Sequence, residues 1–152
     1  MGALFSADLV GAFEEQLKGA VALAFFIPGI VYLADAVGTQ TETVVIRGLS
    51  VGVSLRQMAR PELLSGLLTG LALSSAFFPV ALWHWGDGEV AVAVSLSLLA
   101  ACSVATLIAM ALPWAIRRLG KDPAFGSGPL ATVIQDLLSI LIYFAIASYM
   151  VA

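Results

Sequence analysis

Three acidic residues lie inside long apolar stretches of this 152-residue sequence, Asp35 and Glu42 in one stretch and Asp136 in another. A charged side chain at the centre of a membrane helix costs roughly 2.5–3.5 kcal/mol on insertion scales, and such residues usually face a polar interior and have a function. No Lys or Arg lies beside these acids in the same stretches. Carboxylates without buried basic partners predict a pathway for a cation.

Each acid shares a helix face with other side chains that carry oxygen. One face has Asp35, Thr39 and Glu42 at i, i+4 and i+7, and the other has Thr132, Asp136, Ser139 and Tyr143 at i, i+4, i+7 and i+11. Oxygen ligands suit hard divalent cations, and Mg2+ in particular binds through carboxylates while it keeps several waters. On this basis Asp136, Asp35, Glu42 and Thr39 are candidate metal ligands.

A purely structural role stays open for part of this set. A Thr or Ser in a membrane helix often donates its hydroxyl to the carbonyl one turn earlier, and this interpretation applies to Thr39, Thr43 and Ser139. Glu42 precedes Arg47 by only five residues. It is therefore either a ligand or an acid that snorkels or pairs at the membrane surface.

The two aspartates are predicted to lie at the same depth. Asp35 is twelve residues before Arg47, which is about 18 Å along a helix, and Asp136 is fifteen residues after Lys121, which is about 22 Å less any loop. Because the two helices would run in opposite directions, both carboxylates fall near the middle of the membrane.

The composition indicates the kind of protein in which these residues lie. Hydrophobic residues make up 61% of the chain and charged residues 11%, whereas a soluble domain carries about 25% charged residues. The mean hydropathy is +1.01. These values exclude a soluble globule, a disordered chain and an independent nucleic-acid-binding domain.

Four stretches are long enough to span a membrane, at about 19–46, 62–84, 89–116 and 129–151. Each must be a helix, because lipid offers no hydrogen-bond partners to an open strand. We therefore predict an all-α integral membrane protein, with one transmembrane domain over 1–152 and no soluble sensor domain.

The basic residues predict the orientation of these helices. Apart from Lys18, they form two clusters, at 47–60 and at 117–121. Cytoplasmic loops collect Lys and Arg, so both clusters are expected on the cytoplasmic side. This places the turn at 83–89 and the C-terminus outside, in a multi-pass protein of the cell (plasma or inner) membrane.

Residues 2–16 predict a shorter N-terminal helix. Leu9, Phe13 and Leu17 recur every four residues, opposite Asp8 and Glu15. Such a helix would be about 24 Å long, which is less than the ~30 Å hydrocarbon core. It is either an interfacial helix on the outer side or the outer end of a truncated span.

Two blocks of sequence resemble the MgtE family of magnesium transporters. The block that resembles the family's second transmembrane helix is Pro28, Gly38-Thr39-Gln40, Thr43-Val44-Val45 and Arg47-Gly48-Leu49. The block that resembles the start and body of its fifth helix is Asp122-Pro123-Ala124, Ser127-Gly128-Pro129, Thr132, Asp136 and Leu141-Ile142-Tyr143-Phe144. The resemblance extends from about Phe13 to the end of the chain.

The resemblance implies a homodimer of five-helix subunits, with one pore on the two-fold axis lined by the second and fifth helices. Asp136 would be the pore aspartate, and it would hold a largely hydrated Mg2+ with help from backbone carbonyls, here that of Thr132. Ions would move down their electrochemical gradient without ATP, and no cofactor beyond the transported ion is implied.

Three departures from the family pattern are visible. The family usually reads Gly-Gly-Asn-Ala before its Gly-Thr-Gln, whereas this chain reads Ala34-Asp35-Ala36-Val37, so a carboxylate replaces a small residue beside the pore. The family's cytoplasmic sensing domains have no counterpart in the sequence, so regulation would need a separate subunit or domain. The family's first helix would begin before Met1, which favours the truncated-span interpretation of residues 2–16.

The predicted function is therefore a divalent cation channel or transporter, most directly for Mg2+, and not an enzyme. Transport of another divalent cation and proton-coupled cation antiport are alternatives, since neighbouring acids can share protons. An intramembrane aspartyl protease is a further alternative. The sequence Ile134-Gln135-Asp136 lacks the Gly-x-Gly-Asp context of such proteases, which counts against it.

Overall fold

The computed structural model describes residues 2–14, 21–125 and 127–150, and within these ranges the regular structure is all helical. The helices are α1 (Gly2–Gly11), α2 (Ala22–Ser50), α3 (Leu55–Trp85), α4 (Gly88–Arg118) and α5 (Ser127–Met150). The helices α2 to α5 are long and apolar enough to cross a membrane, and α1 is a shorter apolar helix. The predicted all-α membrane architecture, with four long helices and a short N-terminal one, is confirmed.

Several helix boundaries differ from the predicted ones, and α2, for example, ends at Ser50 instead of about 46. The helix α1 ends at Gly11 instead of 16, and a turn follows at Ala12 and Phe13; Glu15, Gln16, Leu17 and Lys18 lie outside the described residues. The helix α3 begins at Leu55 instead of about 62. Its first turns carry polar side chains, so a search for apolar stretches misses them. Hydropathy marks only the part of a helix that lies in lipid.

The helix α1 runs parallel to α5 and packs along it. Gly2 lies against the side chain of Val133, and Phe13 stacks on Phe144 with 4.4 Å between the ring centroids. Both segments advance by eleven residues between the two contacts, so they proceed side by side in the same direction. This path is that of a segment of a membrane span and not of a helix lying flat on the surface.

The helix α4 is the centre of the bundle and contacts α2, α3 and α5. Its buried face consists largely of small residues: Ala91, Ala93, Ser97, Ala101, Cys102, Ala105 and Ala109. Small side chains let helices in a membrane approach closely, and this close packing replaces the hydrophobic driving force that lipid does not supply. The helix α4 therefore serves as the frame on which the other three long helices are placed.

Two glycines bring α3 against this frame. A Cβ atom at Gly66 would overlap the side chain of Thr106, and one at Gly70 would lie 3.1 Å from the Cβ atom of Cys102. The hydroxyl of Thr106 donates a hydrogen bond of 2.9 Å to the carbonyl of Cys102, so this side chain cannot turn away without losing that bond. The Gly66 and Gly70 pair thus has a packing role, and Cys102 is a buried packing residue.

We expect Gly66→Ala to lower the melting temperature of the detergent-solubilised protein. Overpacking of a tight contact typically costs about 1–3 kcal/mol, and the added methyl group would collide with Thr106. The matched control is Gly29→Ala in α2, where a Cβ atom would meet no atom within 4 Å. Equal melting temperatures for the two variants would contradict the close α3–α4 contact.

Candidate functional site

The helices α2 and α5 approach each other closely at Gly38 and Gln135. The side-chain amide of Gln135 occupies the space that a Cβ atom at Gly38 would need, and Gln135 is 2% exposed. Gly38 is therefore required by its neighbour and not by its backbone conformation. The contact lies three residues after Asp35 and immediately before Asp136, so it fixes how the two acid-bearing segments face each other.

Gln135 also connects this contact to the central helix. Its Nε2 atom donates to the backbone carbonyl of Ala105 in α4 at 3.4 Å. Its Oε1 atom is buried, and within the described part of the chain it has no hydrogen-bond partner. An unsatisfied buried acceptor costs about 1–3 kcal/mol, so the amide of Gln135 is energetically unfavourable at this position. The spacing of the sequence predicted no role for Gln135, although an amide in a mostly apolar helix is a usable signal.

The contact between Gly38 and Gln135 brings together the segments of α2 and α5 that carry the two aspartates. Both side chains are partly buried, and the Oδ1 atom of Asp35 is fully buried with no hydrogen-bond partner among the described residues. Because α2 and α5 run in opposite directions past this contact, Asp35 and Asp136 lie at similar levels of the bundle, as counting residues from the basic clusters predicted. Two like charges in a medium of low dielectric constant repel strongly, so carboxylates at one level of a membrane favour a cation near them.

The remaining candidates differ in how far they are buried. Glu42 is 6% exposed and its Oε1 atom has no hydrogen-bond partner within the described ranges, so it is not an exposed acid of the membrane surface. Thr39 is exposed and Thr132 is partly buried. The hydroxyl of Thr43 donates to the carbonyl of Thr39 at 2.9 Å, as the structural interpretation of that residue predicted.

Within its described residues, a single chain has no group of three or more Asp, Glu, His or Cys side chains arranged to hold a metal. Asp35, Glu42 and Asp136 therefore do not form a three-carboxylate cluster in one chain. Mg2+ does not require one, since it gives up its waters reluctantly and binds through one or two carboxylates with its remaining ligands as water.

A second contact fixes α5 against α2 away from the acids. The hydroxyl of Tyr143 donates a hydrogen bond of 2.7 Å to the backbone carbonyl of Leu23, and Tyr143 is 1% exposed. Gln135 and Tyr143 are eight residues apart on α5, which corresponds to about 12 Å. Two anchor points at this separation fix both the rotation and the tilt of α5, and with them the direction of Asp136.

The structure thus has four helices of membrane-spanning length, with an aspartate inside each of two opposed helices and no Lys or Arg on these two helices except Arg47. Acids placed in this way are expected in membrane proteins that handle cations. The family model described as "MgtE: Divalent cation transporter" matches residues 27–146. The chain belongs to the MgtE family. Since this is a family of transporters, the intramembrane protease alternative is wrong.

Curated relatives agree with this assignment. The chain is 34% identical over 149 residues to "Magnesium transporter MgtE" of Bacillus subtilis and to the protein of the same name from Thermus thermophilus. It is 33% identical over 148 residues to "Magnesium transporter MgtE" of Enterococcus faecalis. These matches cover 94–95% of this chain and 32–33% of the relatives. The chain thus spans about a third of the length of the relatives it matches.

We expect Tyr143→Phe to destabilise the protein by about 1 kcal/mol, because the substitution removes one buried hydrogen bond and leaves the Leu23 carbonyl without its donor. Thermal unfolding in detergent measures the effect. Tyr149→Phe is the control, since Tyr149 is 91% exposed and has no such bond. If both substitutions lower the melting temperature equally, Tyr143 does not anchor α5 to α2.

Proposed function

We propose that the protein moves a divalent cation, Mg2+ in the first instance, across the membrane. The printed names of the relatives refer to magnesium transport, and the described acids have the chemistry that this ion prefers. The observation that carries the proposal is the position of Asp35 and Asp136 beside the contact between Gly38 of α2 and Gln135 of α5. A passing cation relieves the repulsion between these carboxylates, and the repulsion in turn makes the site attractive to a doubly charged ion.

The absence of basic partners supports this role. The helix α5 contains no Lys or Arg, and α2 contains none before Arg47. In structural ion pairs, a buried acid is compensated by a basic side chain held within hydrogen-bond distance. Since neither helix supplies one beside Asp35 or Asp136, the compensating charge is exchangeable, as transport requires.

We infer that two copies of the chain form the pathway between them. One chain offers two carboxylates, whereas a two-fold axis along α2 and α5 would bring four around a single ion. In this arrangement Asp136 holds the hydrated ion with help from the carbonyl of Thr132, Asp35 adds negative charge at the same level, and Glu42 and Thr39 lie nearer the basic end. The ion moves down its electrochemical gradient.

The orientation follows from the basic residues. The helices α2 and α4 end beside Arg47 and Arg117, and we call this side of the bundle the basic end. The positive-inside rule places the basic end in the cytoplasm, so the C-terminus lies outside and Glu42 lies on the cytoplasmic side of Asp35.

We expect Asp136→Ala to reduce Mg2+ influx into proteoliposomes by more than about tenfold, which corresponds to roughly 1.4 kcal/mol in the barrier for the ion. The measurement is the fluorescence of a Mg2+-sensitive dye inside the vesicles. The control is Glu89→Gln, which removes one charge from the exposed first turn of α4 and should leave the influx unchanged. Undiminished influx in Asp136→Ala would remove this residue from the mechanism.

We expect Asp35→Asn to change the preference among Mg2+, Mn2+, Co2+ and Ca2+ while transport persists. The substitution keeps the size of the side chain and removes one of the two charges. The remaining charge attracts ions of different size and hydration to different extents. We therefore expect the influx of each ion relative to Mg2+ to change by about a few-fold. Parallel dye assays with each ion measure the series. An unchanged series would mean that the Asp35 carboxylate does not contact the pathway.

Proton coupling is the second candidate, since two interacting carboxylates can share one proton. A pH-sensitive dye in the same vesicles separates the two functions. Proton efflux in fixed ratio to Mg2+ uptake, lost in Asp35→Asn, would favour antiport. Uptake of Mg2+ without proton movement is the result that passive transport requires.

A further inference from the structure

A cavity of about 410 Å³ lies at the basic end of the bundle, and none of the acids discussed above lines it. It opens between the segment that connects α2 to α3 and the last turn of α4. The side chains that decide its chemistry are Leu49, Val53, Leu55, Trp114, Arg117 and Arg118. One wall of this basic-end cavity is therefore apolar, and the other carries two guanidinium groups.

Local backbone structure builds this cavity. The helix α2 ends at Ser50, and Gly52 then adopts a positive φ of 86°, which reverses the chain. The amide of Val53 donates back to the carbonyl of Gly48 at 2.9 Å, which closes the turn. The connection to α3 thus stays short and leaves a concave surface beside the end of α4.

The two arginines are held in place but are not neutralised. Nη1 of Arg117 donates a hydrogen bond of 2.6 Å to the carbonyl of Leu49, and the guanidinium of Arg118 lies 4.4 Å from the centre of the Trp114 ring. Within the described part of the chain, neither is paired with a carboxylate. Each guanidinium retains N–H donors, since the group carries five of them.

The residues around the cavity predict that it lies at the level of the lipid headgroups. The helix α4 ends at Arg118, and Trp114 lies one turn before it, in the arrangement of tryptophan and arginine that is typical of a membrane interface. A ligand in the cavity thus meets both positive charge and apolar side chains.

We propose that the basic-end cavity binds the phosphate group of an anionic phospholipid. Guanidinium groups form paired, charge-assisted hydrogen bonds with phosphate oxygens, and basic pockets between transmembrane helices are characteristic sites for acidic headgroups. The apolar wall of Leu49, Val53 and Leu55 suits the glycerol and the first acyl carbons. A free phosphate ion shares the anionic chemistry but gains nothing from that wall.

Trp114 provides a probe inside the site. In a Trp83→Phe, Trp85→Phe background, Trp114 is the remaining tryptophan of the three, and acyl chains brominated near the headgroup quench its fluorescence when they occupy the cavity. The protein is reconstituted in phosphatidylcholine vesicles that contain either brominated phosphatidylglycerol or brominated phosphatidylcholine at equal mole fraction. We expect the apparent affinity for the anionic lipid to be higher by about fivefold, as for one basic side chain at an anionic surface.

The variant Arg118→Gln tests the cause of this preference and leaves the bond between Arg117 and Leu49 intact. It should bring the two lipids to equal quenching, whereas the control Arg60→Gln, which removes a charge from α3 outside the cavity, should preserve the difference. Equal quenching by both lipids in the parent protein, or a preference that survives in Arg118→Gln, would overturn the proposal. Loss of the preference on replacing chloride with inorganic phosphate at matched ionic strength would assign the site to the free ion and would also overturn it.

Discussion

The close contact of Gln135 with Gly38 is the interaction on which the placement of the two acid-bearing helices depends. It lies three residues after Asp35 and immediately before Asp136, so it holds together the segments of α2 and α5 that carry these acids. The bond from Gln135 to the Ala105 carbonyl ties the same contact to α4. Like charges interact far more strongly in such surroundings than in water, so helices that carry two carboxylates at one level need packing that keeps them together.

The central helix α4 makes this arrangement possible through the way the other helices pack on it. Its alanine-rich buried face lets α2, α3 and α5 pack close to one axis, so the carbonyl of Ala105 lies within reach of the Gln135 amide. The bond between Tyr143 and Leu23 adds a second fixed point toward the other end of α5. The acids are thus positioned by apolar packing and a few buried hydrogen bonds, and not by salt bridges of their own.

The four spans and the shared depth of Asp35 and Asp136 could be predicted from the sequence, because hydropathy and the rise per residue of a helix are properties of the chain itself. The start of α3 at Leu55 could not, since a helix that continues into the headgroup region loses its apolar signal. The role of Gln135 depends on Gly38 being opposite to it, which is information about two helices. The basic-end cavity depends on how the chain turns at Gly52, and spacing alone does not reveal it.

Asp35 is one of the positions where this chain departs from the pattern that its resemblance to the family implies. A small residue at that position would need no compensation, whereas a carboxylate with a buried Oδ1 atom that has no hydrogen-bond partner among the described residues does. Under the proposed function, a cation in the pathway would supply that compensation. The Asp35 carboxylate would then raise the affinity of the site for doubly charged ions, because the attraction between charges is stronger in surroundings of low dielectric constant.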